Sequence, residues 1–486
     1  MIMRKKNNLK KLCLSMLAGF VVFAVALYFI AGDSFNYKTT ASSTIDAAAA
    51  VGEITADRPV RQNFTIASDR VIQYQLQFTT YARQNTSSVT LQIYDSNGAL
   101  LAENVISAAE LQDNAVQTIV LDQPIQDRGG ETAQLVITSD AAPSNAVSVF
   151  YGNSISAGRG TVTQSYSDDQ KVSIGETRLE GILYFSQISQ IRLWFGQYYW
   201  LIAAGVFVLL CVYAAVILRK EKLGKKSATL NFIRSLNRYE FLIKQLVSRD
   251  FKTKYRRSVL GVFWSFLNPL LTMLVQYVVF STLFSSSIPH YPVYLLSGIV
   301  LFNFFNETTS VGMTSITSNA PLITKVYVPK YIYPLSRMLS STINVALSLI
   351  PLFLVAICTG VYPAFSWLLL VFNLLCLMAF SLGISYILST LMVYFRDTQF
   401  LWSVVSMIWM YCTPIFYPES IIPASLLSIY RLNPLYQLIS FARCVLIDRV
   451  SPGPMSYLAC LLVAVVPLVF GVWLFNRKEK DFVLYL

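Results

Sequence analysis

Long uninterrupted apolar runs dominate this chain, and two other patterns separate them. The apolar runs fall at 12–31, Leu193–Leu218, 262–285, 294–317, 334–358, 366–394, 399–417 and 454–475. Several exceed the roughly 18 residues that suggest a membrane-crossing helix. The pattern therefore predicts a polytopic α-helical membrane protein of about eight spans, two N-terminal and six in a later block. Between the first two runs the period drops to two. Ile72, Tyr74, Leu76 and Phe78 alternate with Gln73, Gln75 and Gln77, and Val89, Leu91 and Ile93 alternate with Thr90 and Gln92. Similar short runs occur at Val116–Leu121, Gln134–Thr138 and Ala146–Tyr151, and Asp95-Ser96-Asn97-Gly98 is a hairpin-type turn. Short strands with regular turn signals predict a β-sandwich from about Arg61 to Asn153. The Ala/Ser/Thr-rich stretch 33–60 reads as a linker, and 154–185 as further strands returning to the membrane.

The third pattern is helical and amphipathic. Tyr239, Leu242, Ile243, Leu246 and Val247 recur at helical spacing within Asn237–Phe251, with Arg238, Lys244 and Arg249 around them. That predicts a helix lying in the membrane interface. Pro418 to Arg449 is too apolar for an ordinary loop and is broken by Pro418, Pro423 and Pro434. A re-entrant pair of short outer helices fits, because irregular backbone at that depth must pack on protein or line a cavity. The run 12–31 follows a basic start, MIMRKKNNLKK. A cleaved signal peptide also begins so, but its core is only about 7–15 residues, and the longer run favours a retained anchor.

Charge orients these elements. Only 13% of the 486 residues are charged, and the net charge of +12 is uneven. Residues 33–190 hold 17 acidic and 9 basic residues, net −8, and the remainder 9 acidic and 29 basic, net +20. Basic loops stay on the cytoplasmic side. The expected order is a cytoplasmic N-terminus and first span (1–32), an extracytoplasmic β-domain (33–192) and a second span (193–218). A cytoplasmic linker with the interface helix (219–261) and a six-span core (262–486) follow, with the re-entrant part at 418–449 and the C-terminus cytoplasmic. RKEKLGKK (Arg219–Lys226), Lys325/Lys330, Arg396 and Arg477/Lys478/Lys480 all fall on one side in this scheme. The basic residues flank apolar spans, so nucleic-acid binding is not expected.

The seven cysteines form no CxxC pair and none neighbours His290, the one histidine, so no metal site is expected. No GxxxxGK[ST] loop occurs; the nearest run, Gly224-Lys225-Lys226-Ser227, has Arg219 where the upstream Gly belongs. The chain itself binds no nucleotide by that route, and no catalytic residue is assigned.

Five segments are similar to one family. They are RDFKTKYRRSVLGVFWSFLNPL (249–270), LFNFFNETTS (301–310), SNAPLITKVYVPKYIYPLS (318–336), YFRDTQFLWSVVSMIWMYCTPIFYP (394–418) and LNPLYQLISFAR (432–443). Region 230–486 resembles the membrane subunit of ABC-2 type exporters, in the branch that exports O-antigen polysaccharides and teichoic acids. The anchored β-domain departs from that pattern. The resemblance implies a homodimer in the bacterial cytoplasmic membrane, two copies of a separate ABC ATPase that handles ATP and Mg, and a lipid-linked polysaccharide as cargo. It also implies an ATPase-coupling segment at Pro321–Lys330, with Leu322, Ile323, Val326 and Tyr327 as exposed apolar contacts flanked by Lys325 and Lys330. Arg249, Lys252, Arg256 and Arg257 mark the interface helix.

Glu307 sits within a span beside Asn303 and Asn306. Ionisable groups in lipid usually face a bundle interior or water, so Glu307 is either at a path or gate or in a helix–helix hydrogen bond. Trp264, Phe302, Phe305, Trp409, Tyr411, Phe416 and Tyr417 are candidates for the same path, since aromatic rings pack on sugar faces; ordinary span packing accounts for at least half of such aromatics. The β-domain is expected, by fold analogy alone, to bind or guide the glycan. Alternatives are an exporter of a lipid, drug or small glycolipid, and a membrane sensor. A sensor lacks room for an output domain in 219–261. A glycosyltransferase would need clustered carboxylates, and the acids outside the β-domain are scattered.

Overall fold

The computed structural model describes residues 2–42, 45–157, 160–224, 227–256, 258–284, 288–325 and 328–485. The chain divides into two units, Asn36–Gln197 and the remainder, Met1–Phe35 with Tyr198–Leu486.

Asn36–Gln197 carries two antiparallel sheets. One orders its strands Tyr37–Ala41, Phe185–Arg192, Arg70–Thr79, Ser148–Gly152 and Ile182–Leu183, with Val116–Gln126 also on Arg70–Thr79. The other runs Thr177–Arg178, Ser173–Ile174, Val60–Thr65, Thr132–Ser139, Ser88–Asp95 and Leu100–Ser107. Alternation aims Val60, Val89, Leu91, Leu135 and Ile137 from one sheet, and Tyr74, Leu76, Phe78, Ile119 and Leu121 from the other, into one shared core. That is the expected sandwich, with three corrections. Ile72 is not an inward residue: a register shift between Val71 and Gln73 changes the phase, and Val71 is buried instead. The stretch 33–60 is not all linker, since Tyr37–Ala41 pairs along Phe185–Arg192. That last strand was not predicted, because FSQISQIR carries few apolar residues. Its pairing brings the two ends of the unit together, with the Leu193 N–H donating to the Asn36 carbonyl at 2.8 Å.

The second unit is helical. Two of its helices are α1 (Ile2–Asn36) and, after a short α2 (Trp194–Gln197) in the first unit, α3 (Tyr199–Lys222). The Tyr199 hydroxyl donates to the Ala24 carbonyl at 2.7 Å, and Phe20 stacks on Phe207, so α1 and α3 pair. Then come α4 (Ala228–Tyr255), α5 (Trp264–Phe284), α6 (Tyr291–Met313), α7 (Ala320–Ile323), α8 (Ile332–Cys358), α9 (Leu369–Tyr394), α10 (Thr398–Tyr411), α11 (Ala424–Arg431), α12 (Pro434–Leu446), α13 (Pro454–Lys478) and α14 (Phe482–Tyr485). Among the described residues six helices are long and apolar enough to cross a membrane: α1, α3, α5, α8, α9 and α13. The chain is therefore membrane-integral.

The other two expected spans differ. α6 has the length, but Asn303, Asn306 and Glu307 lower its hydropathy. It is the hub of the bundle, packing on α5, α8, α9, α10 and α12, with Asn303 exposed and Asn306 and Glu307 half-buried. α10 has 14 residues, about 21 Å of helix at 1.5 Å per residue, and the chain then turns at Thr413–Pro418 into α11 and α12. The Asn433 side chain pins that turn. It caps α12 by accepting the Leu435 N–H at 3.1 Å, accepts the Trp409 indole N–H at 2.8 Å and donates to Thr413 Oγ1 at 2.9 Å.

Candidate functional site

Polar side chains from four helices converge on one side of α6. Asn303 and Glu307 are one turn apart on it. On α8, Arg337, Ser341, Asn344 and Ser348 recur at spacings of four, three and four, which places them along one stripe. The start of α5 contributes Ser265 and Asn268, and the end of α4 contributes Asp250, Lys254 and Tyr255. Glu307 is the centre. Its Oε1 accepts the Asn344 amide at 2.6 Å and the Ser341 hydroxyl at 3.3 Å, and Lys254 Nζ lies 2.8 Å away. The Tyr255 hydroxyl donates to Asn344 Oδ1 at 3.0 Å and also meets the Ser265 hydroxyl. Asp250 is held by Arg337 and Arg249, each at 3.0 Å.

Two clefts flank this seam. One of about 710 Å³ is lined by Arg249, Asp250, Lys254, Glu307, Arg337 and Asn344. The other, about 290 Å³, is lined by Lys254, Trp264, Asn268, Asn303, Glu307 and Ser348. Lys254, Glu307 and Asn344 belong to both. Glu307 retains 31% side-chain exposure, so its ion pair is partly screened and of modest strength. Hydroxyls, amides and paired charges, three cations against two carboxylates, can solvate a polar cargo inside an otherwise apolar bundle. Among the described residues no group of metal-ligating side chains forms.

Of the eight residues expected at a path or gate, Trp264 and Glu307 line these clefts. Phe302 and Phe305 are buried at 3% and 0% exposure, and Phe305 stacks on Phe380 at 5.3 Å with Trp409 edge-on at 5.3 Å. Phe416 is buried against Phe280, Tyr417 donates to the Tyr411 carbonyl at 2.9 Å, and Tyr411 is exposed. These aromatics pack in the bundle, except Tyr411 on its surface. Sequence reasoning missed Lys254, Asp250, Arg337, Ser341 and Asn344. The polar stripe 337/341/344/348 inside an apolar run was the available signal.

The coupling segment needs correction. Pro321 and Lys325 are exposed and Leu322 is half-buried, but Ile323 is buried at 8%. Ile323 packs with Leu246, Ile316, Val328, Tyr333, Phe475 and Phe482 in a second small core, so it anchors the segment and offers no contact. Lys330 is also committed: its ammonium donates to the Glu479 carbonyl and lies 5.6 Å from the Phe482 ring. Burial pushes the Lys330 ammonium down and the Glu479 carboxyl up from their ordinary values. Val326, Tyr327 and Arg257 lie outside the described residues. Lys252 and Arg256 are exposed, while Arg249 donates to Asn319 at 3.2 Å just ahead of α7. α4 thus reaches Asn319, just ahead of the expected coupling segment, through Arg249, shares a core with Ile323 through Leu246, and meets the seam through Lys254.

Residues 241–447, from within α4 to the end of α12, match the family described as ABC-2 type transporter. The O-antigen export system permease protein RfbA of Klebsiella pneumoniae is 30% identical over 250 residues, 50% of this chain and 93% of its own. The chain belongs to the ABC-2 type transporter family. A protein of the same description from Myxococcus xanthus is 29% identical over 255 residues, 52% of this ABC-2 chain and 98% of its own. The polysialic acid transport protein KpsM of Escherichia coli is 24% identical over 243 residues, 49% and 93% respectively. The Myxococcus relative is thus covered almost whole while about half of this ABC-2 chain has no counterpart in it. The unit Asn36–Gln197 lies outside the family match. A viral particle protein of infectious bursal disease virus aligns over 32% of this chain and 41% of its own at 11% identity and TM-score 0.17, too low to bear on the fold.

Proposed function

We propose that this ABC-2 permease exports a lipid-linked cell-surface polysaccharide across the bacterial cytoplasmic membrane. It works as a homodimer with two copies of a separate ATPase, which binds ATP and Mg and does the hydrolysis. The seam centred on Glu307 is the observation that carries this reading. Apolar or small side chains would hold three helices together at less cost than a carboxylate, an ammonium and two amides. A hydroxyl-rich chain crossing the bilayer needs such groups at close intervals. The O-antigen and polysialic acid relatives support a glycan as cargo. The missing phosphate loop supports a separate ATPase, reached through the exposed Pro321 and Lys325 and the half-buried Leu322. The charge division supports a β-rich unit outside the cell and both termini inside.

Depletion of the protein, followed by analysis of lipid-linked material within the cell, tests the reading. Accumulated polymer is the expected result. An unchanged polymer pool with a shifted phospholipid or drug content would replace the glycan with the alternative cargo. Glu307→Leu sharpens the test. It leaves Lys254 and Asn344 without their acceptor, so export should fall about tenfold or more, about 1.4 kcal/mol of barrier, while membrane level and partner ATPase binding persist. Normal export by Glu307→Leu would remove the seam from the path.

A further inference from the structure

We infer that the six-stranded sheet of the β-rich unit binds uncharged sugar residues of the exported glycan on its outer face. This rests on the reading of glycan export above. The strand register sets the face. Asn63 lies opposite Gln134, and Gln134 opposite Tyr94, making one row across three strands. Arg61, Val136, Gln92 and Glu103 make the next row across four. Their neighbours in sequence, Gln62, Phe64, Leu135 and Ile93, are buried on the opposite side, so these two rows share the outward side. A cleft of about 800 Å³ lies over them, walled by Asp95, Ser96 and Gly98 of the hairpin and by Ala56 and Pro59.

The chemistry of the cleft suits hydroxyls. Gln134 Nε2 donates to Asn63 Oδ1 at 3.0 Å, which leaves Asn63 Nδ2 and Gln134 Oε1 without a partner among the described residues. Tyr94 donates to Gln92 Oε1 at 2.9 Å, and Gln92 donates to Glu103 at 2.7 Å, so one chain of hydrogen bonds orients the second row. Arg61 is exposed, and its guanidinium has no hydrogen-bond or ion-pair partner among the described residues. Adjacent donors and acceptors on rigid strands match vicinal hydroxyl pairs. Charge selects the sugar. The surrounding residues 33–190 carry net −8, and Glu103 closes the far end of the row that Arg61 opens, so an acidic glycan is disfavoured. The outer face of the other sheet also presents amides, but Gln75 and Gln77 donate to Thr118 at 3.2 Å and to the Asn114 carbonyl at 2.9 Å.

The test uses the full chain in lipid nanodiscs. It is titrated with polysaccharide extracted from the producing cells and freed of its lipid, with polygalacturonate as an acidic competitor. Saturable binding is expected. The pair Gln92→Ala/Gln134→Ala should weaken it about tenfold or more, since each lost hydrogen bond accounts for roughly fivefold. Arg61→Ala, which removes an exposed side chain and spares the fold, should weaken it severalfold. Gln75→Ala/Gln77→Ala should leave it unchanged, and polygalacturonate should not compete. Absence of binding to the unaltered chain, equal losses from both glutamine pairs, or competition by polygalacturonate would each overturn the assignment. Polymer accumulation on depletion is scored separately. Accumulation without binding sinks this face alone, and binding without accumulation sinks the export reading alone.

Discussion

The two units of this chain both bury apolar side chains but differ in what they expose and in how their helices or sheets hold polar groups. In the β-rich unit the interior is mainly apolar, with Leu76, Phe78 and Ile137 at 0% exposure, although Gln62 and Gln187 are buried too, and residues such as Gln73, Gln75 and Gln92 are half-buried on the outer faces. In the helical unit Ser381, Ser385, Asn373 and Thr308 are all at 0%, while Leu274, Val278 and Val469 are exposed at 55%, 65% and 61%. Water drives apolar groups together in the first case. In lipid that drive is absent, so helices associate through close backbone approach and through hydrogen bonds between them. Asn373 donating to the Leu438 carbonyl at 2.9 Å and Ser385 donating to the Thr308 carbonyl at 3.1 Å are bonds of that kind. A polar seam beside α6 is thus an extension of how the helical unit is already built.

The comparison is broken most sharply where α9 crosses α13. A Cβ on Gly471 would run into the Gly383 carbonyl, and one on Gly383 into the backbone of Leu468. Gly471→Leu cannot be relieved by side-chain movement, because the obstruction is backbone. The expected outcome is loss of monodisperse protein from detergent extracts, read by size-exclusion chromatography. Normal assembly would show that the close crossing is not required. A smaller effect is expected in the other unit. Leu135 is at 2% exposure in the sandwich core, and Leu135→Ala should destabilise that unit by about 2–5 kcal/mol. Limited proteolysis should then cleave within 36–197 and spare the helices. Val278→Ala, as apolar but exposed, should change stability by no more than about 0.5 kcal/mol. A large loss from Val278→Ala would place it in a packed interface between copies.

How much could be read beforehand follows the same division. The strands at Val89–Ile93 and the apolar runs of α5, α8, α9 and α13 were legible, because one-dimensional period and length identify them. Strand Phe185–Arg192 was not, since only Phe185 and Ser186–Gln187 with Ser189 are well buried and most of these are polar. The inward phase at Val71 depends on a register shift set by the partner strand. Glu307 was legible as an ionisable group in a span, yet its partners come from α4 and α8, far apart in sequence. Ile323 looked like a surface contact because a short loop carries no period to show which way it faces. The aromatics of α6 and α10 show a related limit: Phe302 and Phe305 are buried in the bundle and Tyr411 is exposed on it, and aromatic content alone does not distinguish a lining from a core.

The smallest expected effect tests whether the β-rich unit behaves as a water-built domain. Asp113 accepts the Thr79 hydroxyl at 2.8 Å and the Thr80 N–H at 2.7 Å. These hydrogen bonds, that from Thr79 first, hold its carboxyl below the usual carboxylate range. A folded-state value below the unfolded one means the charged form favours folding. That contribution is fully present above the ordinary carboxylate value of about 3.9 and is lost as pH falls through the depressed folded value. Asp113→Asn should therefore lower the unfolding temperature of this unit near neutral pH, by less than Leu135→Ala does. The difference from the unaltered chain should shrink as pH falls below the ordinary carboxylate range and the native carboxyl protonates. The helical unit should show no such acid dependence from this substitution, because the residue belongs to the other unit. Thermal scans at several pH values, read by proteolytic release of the 36–197 region, check this. A deficit that stays constant down to low pH would mean that the Thr79 and Thr80 contacts act by shape and not by charge.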